Sequence, residues 1–373
     1  MQTADSRQQT ADSRQQTADS RQQTADSRQQ TADSRQQRRN VYLDTVKGLT
    51  IFLVVLGHCI QYFNGSEFLK GENFFDDIVF KIIYSFHMPL FALVSGYLFY
   101  SSFSSRTPRE IIAKQARSLI LPAFSWALLT SLIRMCKFLI MGEFLGYEFF
   151  IGVLRSFTMG LWFLWAMFWC SLAVVIAEKF FHGRIAFYML LVVLSLFLPN
   201  KLNASANSFM YPYFVAGYIW HREGFDTKIN ALPSWLKNSG SIAVIAVWLV
   251  MLAFFGRNSY IYTTGISLIK YKEGIFVPSQ LWTDIFRWAI GFAGSCSVMI
   301  LLKLVKPLKI LALIGSKTIG IYIMSGYIFR VRPEYGGYII NFIEAVIITA
   351  LCYTLTVIIS RNKMLNKFLL GGR

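Results

Sequence analysis

Of 373 residues, 54% are hydrophobic and 16% aromatic. Such values exclude an ordinary soluble globule and are normal where stretches long enough to cross a bilayer make up most of the chain. The net charge of +17 argues poorly for nucleic acid, because the excess cations sit in short clusters between apolar runs, where membrane proteins keep Lys and Arg. The five cysteines, Cys59, Cys136, Cys170, Cys296 and Cys352, have no paired spacing, so they suggest packing residues rather than a disulfide framework or zinc set.

The chain opens on a tail, 1–37, in which QTADSRQ is repeated five times over residues 2–36. A coiled coil needs apolar a and d positions, and one Ala per seven residues supplies neither. The tail therefore reads as disordered, and with no apolar core it is not a signal peptide. The DNA heptamer CAGACAG in tandem translates as Gln-Thr-Ala-Asp-Ser-Arg-Gln, so the tail reads as a translated repeat of seven-base units. Gain or loss of one unit would shift the frame and silence the gene, a phase-variable switch. The alternative is a spacer selected as protein.

Residues 38–373 form one membrane domain, with ten apolar segments near 43–63, 78–100, 117–140, 157–177, 184–200, 207–221, 240–256, 283–302, 307–328 and 337–360. About 20 residues per crossing is the yardstick. The expected fold is an all-α polytopic membrane protein of about ten transmembrane helices. Basic clusters at 38–39, 106–117, 179–184, 222–237, 303–309 and 361–373 fall on one side of that arrangement. The positive-inside rule then places both termini in the cytoplasm.

Ionisable groups inside spans are costly unless they have a partner or line a cavity. The first span carries Asp44, Lys47 and His58. Eleven residues separate Lys47 from His58, which puts them within about 20° on a helix, and Asp44 falls within about 40° of His58. All three make one polar stripe, the expected wall of a cavity running most of the way through the membrane. The second span, SFHMPLFALVSGYLF, carries His87, about 14 Å below the outer surface, against roughly 8 Å for His58. Two imidazoles at comparable depth on neighbouring helices suit proton transfer near neutral pH. Arg106, Arg109, Lys114 and Arg117 follow as a basic cluster: a topology signal or anionic-lipid contact, or a grip for a phosphorylated donor. Ser95 and Tyr97 either line the cavity or serve helix packing, Arg287 pairs with Asp284, and Glu344 is an unpaired acid in the last span.

The stretches LDTVKGLTIFLVVLGH, SFHMPLFALVSGYLF, RSLILPAFSW, LWFLWAMFW, YPYFVAGY and LIGSKTIGIYIMSG together resemble acyltransferase family 3, bacterial integral-membrane O-acetyltransferases, and within it the fucose 4-O-acetylase-like subgroup. The resemblance spans about 40–328. It implies a multi-pass protein of the bacterial cytoplasmic (inner) membrane that moves acetyl from cytoplasmic acetyl-CoA, with no metal, to a sugar hydroxyl. The acceptor would be a surface polysaccharide, capsule or lipopolysaccharide O-antigen, or its lipid-linked precursor. Lys47 and His58 match the family's basic residue, ten intervening residues and His, although the basic residue is often Arg. His87 matches the second-span His, and Arg117 lies near the family's cytoplasmic Arg positions before Pro122. Where many relatives end the ninth span in IYLLH, this chain has Ser325, so a third His is absent. On this reading His58 is general base on the sugar hydroxyl, or first on a protein-bound acyl step, His87 orients or stabilises the developing oxyanion, and Lys47, Arg106, Arg109, Lys114 and Arg117 hold CoA phosphates, with Asp44, Ser95, Tyr97 and Arg287 in support. The rival class is a glycolipid transporter or flippase, with the histidines as proton relays; a non-catalytic scaffold leaves the intramembrane His and Lys unexplained.

Overall fold

The computed structural model of the protein describes residues 41–144, 146–199, 203–268, 278–306, 308–329 and 336–372. The repeat tail lies outside the described residues, as do Arg38 and Arg39. Every regular element among the described residues is helical. We number them α1 (Val41–Phe63), α2 (Ile78–Phe103), α3 (Pro108–Ile140), α4 (Gly146–Arg155), α5 (Trp162–Phe181), α6 (Ile185–Ser195), α7 (Ala204–Arg222), α8 (Ser234–Phe254), α9 (Pro278–Leu304), α10 (Lys309–Gly315), α11 (Thr318–Ile328), α12 (Tyr338–Arg361) and α13 (Lys363–Leu370).

Seven of these, α1, α2, α3, α5, α8, α9 and α12, are long and apolar enough to cross a membrane. The segment read as a ninth crossing is instead two helices, α10 and α11, bent by 80° at a break over Ser316 and Lys317. The fifth segment yields only the 11-residue α6, about 16 Å long and too short to span about 30 Å of hydrocarbon. The sixth, α7, has a polar N-terminal half and buries nine residues, including Tyr211, Tyr213 and Tyr218, so it packs inside the bundle rather than against lipid.

Local chemistry sets the starts of the helices that matter for the site. Asp77 caps α2, its Oδ1 accepting the Phe80 N–H at 2.8 Å, which supplies one of the unpaired amides at a helix start. Thr107 and Glu110 form a reciprocal capping box at the start of α3, with Pro108 in the first turn, where its missing N–H costs nothing. Residues Ala116–Ile120 of α3 widen into one π turn, and that turn borders the cavity described below.

Side-chain bonds define two ends of the bundle. At the basic end, the start of α1 meets the end of α9 (Tyr42 O–H to the Met299 carbonyl, 2.7 Å) and α2 meets the turn after α7 (Tyr97 O–H to Asp226, 2.7 Å). At the opposite end, Asn64 bonds Gly337 and Asn341 of α12, and Tyr260 bonds the Phe75 carbonyl. Helices α1 and α2 form the centre, burying Ile51, Val55, Leu90, Ala92 and Val94 almost completely. Two backbone-to-backbone crossings fix them. A Cβ on Gly48 would run into the Leu311 carbonyl of α10, and one on Gly96 into the Phe214 carbonyl of α7. Small residues at such crossings are what lets membrane helices approach closely. The outer surface is oily: α8 buries only Trp248, while Ile242, Val250 and Phe254 are exposed. In water such a face would aggregate; here it meets lipid.

Candidate active site

His58 on α1 and His87 on α2 lie on two packed helices at the end of the bundle opposite the basic clusters. Gly57, beside His58, leaves room for the Tyr84 ring, and Tyr84 lies edge-on to His87 at 4.5 Å between centroids. His87 is 3% exposed, and its Nδ1–H donates to the Ile83 carbonyl one turn back at 2.8 Å. A carbonyl can only accept, so Nδ1 carries the proton and Nε2 is left with its lone pair. In this tautomer the neutral imidazole accepts a hydrogen bond at Nε2, and the protonated ring would donate one there. His58 is half-buried; its Nδ1 stands 3.3 Å from Gln61 Oε1, and its ring packs at 4.9 Å on Phe329.

Aromatic rings surround the pair. Tyr62 stacks on Phe329 at 6.2 Å, Tyr84 approaches Tyr262 at 6.4 Å, and Tyr262 approaches Trp162 at 6.5 Å. His87, Tyr84, Trp162, Tyr260, Tyr262 and Arg287 share a cleft of about 30 Å³, room for about one water. Arg287 is not free to bind anything else. Its Nη1 pairs with Asp284 at 3.0 Å, Nε donates to the Ser259 carbonyl at 2.8 Å, and Nη2 donates to the Asn258 and Tyr260 carbonyls at 2.8 and 3.0 Å. Thr264 Oγ1 and the Gly265 carbonyl take further bonds. The expected pairing with Asp284 is there, and the guanidinium's larger task is to tie the 256–265 turn over the cleft.

The basic end holds a separate chamber of about 250 Å³. Lys47, held by Asp44 at 2.7 Å, Lys114, which donates to Ser102, and Ser95 line it. Thr318 and Ile319 bring the N-terminus of α11 to its wall, where backbone N–H groups and the helix dipole favour an anion. Phe91, Phe163 and Phe214 make the rest mostly apolar.

Not every expected residue arrives here. Tyr97 stands at the basic end, stacked on His221 at 4.2 Å and bonded to Asp226, because α2 turns that face towards the end of α7; it does not line the chamber. Arg106 folds back onto the Ser102 carbonyl at 3.0 Å, and Arg117 is exposed; neither is among the lining residues. Arg109 borders a different cavity of about 430 Å³ together with Lys179 of α5.

The polar stripe on α1 does not line one continuous passage either. The chamber reaches Val54, one turn short of His58, and ends at Met88, Phe163 and Tyr322. The Phe163 N–H donates to Tyr322 Oη at 3.3 Å, and the rings lie 5.9 Å apart, so these bulky side chains close the inner end of the chamber. Met88 also lines the histidine cleft; one side chain thus separates the two spaces. Tyr322, Thr318, Trp162 and Tyr262 are candidate-site residues that spacing on α1 and α2 did not reveal; their signal lay in the TIGIYIM, LWFLW and YIYTT stretches. Among the described residues, no three His, Cys, Asp or Glu side chains gather where they would hold a metal.

Two curated proteins place the chain among its relatives. It is 25% identical over 305 residues to the nodulation protein NolL of Sinorhizobium fredii, covering 78% of each chain. It is 23% identical over 298 residues to NolL of Mesorhizobium japonicum, covering 78% of this chain and 77% of that one. No solved structure matches it significantly. A family model described as an acyltransferase domain matches residues 40–361, from the first helix of the bundle to the end of α12. The chain is a multi-pass membrane protein and belongs to this acyltransferase family.

Proposed function

We propose that the protein is an O-acetyltransferase of the bacterial cytoplasmic membrane that carries acetyl from acetyl-CoA to a sugar hydroxyl of a surface polysaccharide or its lipid-linked precursor. The observation that carries this reading is the pairing of two unlike spaces across Met88. One is cationic and narrow; the other is rimmed with aromatic rings and lined by His87, with His58 on the neighbouring helix at the same end of the bundle.

The basic end faces the cytoplasm, as the positive-inside rule requires. The chamber fits a thioester donor in part: its apolar walls suit a slender acyl-bearing arm, and Lys47, Lys114 and the α11 N-terminus suit phosphate. At about 250 Å³ it does not take the whole donor, so the nucleotide stays at the basic surface. The cleft admits one hydroxyl at most, so the acceptor ring itself rests outside it on the far side, against Tyr62 and the exposed Tyr262, whose flat rings match the apolar face of a pyranose.

His58, oriented through Nδ1 by Gln61, presents Nε2 as the base; a base steered by a third group is the recurring arrangement for activating a weak nucleophile. It takes the hydroxyl proton as the sugar oxygen forms its bond to the acyl carbonyl carbon. The carbon–sulfur bond breaks, and the proton passes to the departing thiolate. His87, an acceptor at Nε2, receives a bond from a neighbouring sugar hydroxyl and sets the ring's orientation. Met88, Phe163 and Tyr322 keep water from the thioester until both substrates are present.

Glycan analysis of cells with and without the gene tests the assignment. An ester-linked acetyl group present only with the gene is the expected result. Loss of the whole glycan from the surface would instead show a transporter.

A further inference from the structure

One further cavity belongs to neither space. It is a groove of about 590 Å³ between α5, α6 and α7, within the range of about 300–1,000 Å³ typical of ligand sites. Trp165, Trp169 and Leu194 form its walls, and Trp169 and Leu194 are about half exposed on the lipid-facing side of the bundle. Its floor is α7, where Asn207, Ser208 and Tyr211 fall on one face at spacings of one, three and four residues. Ser208 and Tyr211 are 4% and 5% exposed, yet Ser208 Oγ, Tyr211 Oη and Asn207 Oδ1 have no hydrogen-bond partner. A buried polar atom without a partner is costly, and more so where hydrocarbon rather than water lies outside. Three on one helical face, all lining one groove, mark a place where a ligand completes the bonding.

The atoms say which ligand. Asn207 Oδ1 can only accept, so the ligand brings an O–H or N–H donor; the two hydroxyls can donate or accept. Among the described residues no Lys, Arg, His, Asp or Glu lines the groove, so none of them compensates a phosphate or carboxylate, whose burial without a partner is prohibitive. The remaining wall is aliphatic and indole surface, suited to a hydrocarbon chain and to the face of a sugar ring. We propose that this groove binds a bilayer amphiphile with an uncharged, hydroxyl-rich headgroup, a neutral glycolipid, with its sugar hydroxyls on Asn207, Ser208 and Tyr211 and its chain along Leu194. Phe209 and Met210, from the other side of α7, line the His87 cleft, so α7 separates the two sites and the groove stands independently of the acyl-transfer assignment.

The test uses the full chain in phosphatidylcholine nanodiscs, titrated with monoglucosyl-diacylglycerol or phosphatidylglycerol carrying identical brominated chains, with quenching of Trp fluorescence as the readout. The glucolipid should quench saturably, the anionic lipid only as bulk lipid does, and the difference should vanish in the Trp165→Phe/Trp169→Phe protein. Ser208→Ala with Tyr211→Phe removes two oxygens at nearly constant shape and should weaken the glucolipid about tenfold, the equivalent of one net hydrogen bond or slightly more. Leu194→Trp, a lipid-side change that leaves the floor intact, should block binding while the protein still elutes as a folded species. Equal quenching by both lipids, or a double variant that titrates like the wild type, would reduce the groove to a seat for ordinary bilayer lipid and overturn the proposal.

Discussion

His58 and His87 both commit Nδ1 to a neighbour, Gln61 in one case and the Ile83 carbonyl in the other, and it is this commitment that gives each a usable Nε2. Lys47 owes its place to Asp44 in the same way: the carboxylate holds the ammonium against its helix at the chamber wall. Removing the charge by Lys47→Met should therefore weaken donor binding and leave the chemical step alone. A lost charge-assisted bond is worth about 1.5–3 kcal/mol, so the KM for acetyl-CoA should rise on the order of tenfold or more with kcat little changed, measured in steady-state kinetics on reconstituted protein. The Lys47–His58 spacing was legible because helical periodicity alone puts the two side chains on one stripe. The interruption of that stripe was not, since Met88, Phe163 and Tyr322 come from three different helices and meet only when α2, α5 and α11 pack. The choice between the two roles open to Tyr97 was hidden for a related reason: one face of α2 serves two neighbours, and the sequence does not say where the change occurs.

At the scale of the element, the bend between α10 and α11 and the turn over the cleft carry most of what periodicity hides. Residues 307–328 are apolar enough to read as one crossing, and nothing in their pattern marks the break at Ser316 and Lys317 that turns the α11 N-terminus to the chamber. Arg287 shows the opposite. Its place beside Asp284 was readable one turn apart on a helix, but its bonds to Asn258, Ser259, Tyr260 and Gly265 cross some twenty to thirty residues of chain. Arg287→Leu would strand the buried Asp284 and release five backbone or side-chain acceptors of the turn. Breaking a buried pair in this way costs about 3–5 kcal/mol, so amide exchange in 256–265 should become much faster, with little change in α12. Equal protection in the variant would mean that aromatic packing of Tyr260 on Phe75 and Phe255 suffices to hold the turn.

For the whole molecule, the tail and the membrane domain separate cleanly in the sequence. The family match begins at residue 40, after the last repeat, and every site residue lies beyond it. Deleting residues 2–36 in frame should leave acyl transfer per molecule unchanged, whereas adding or removing one seven-base unit in the gene should abolish the protein; a truncated protein with clearly reduced turnover would give the tail a part in catalysis. The all-helical membrane bundle was readable from composition and spacing. The number of full crossings was not, because α6, α7 and the broken α10–α11 pair all have apolar sequence of nearly spanning length and depart from simple spans only through packing. On the proposed reading, the bundle holds donor and acceptor on opposite sides of a wall one side chain thick.

The most direct test reconstitutes the protein with radiolabelled acetyl-CoA and purified surface glycan, then follows ester-linked label in the glycan for the wild type, His58→Ala and His87→Ala at matched protein levels. The wild type should label the glycan. His58→Ala should fall by about a hundredfold or more, as loss of a general base requires, and His87→Ala should fall with it. Wild-type labelling by His58→Ala, or an unlabelled glycan with the wild-type protein, would contradict the account.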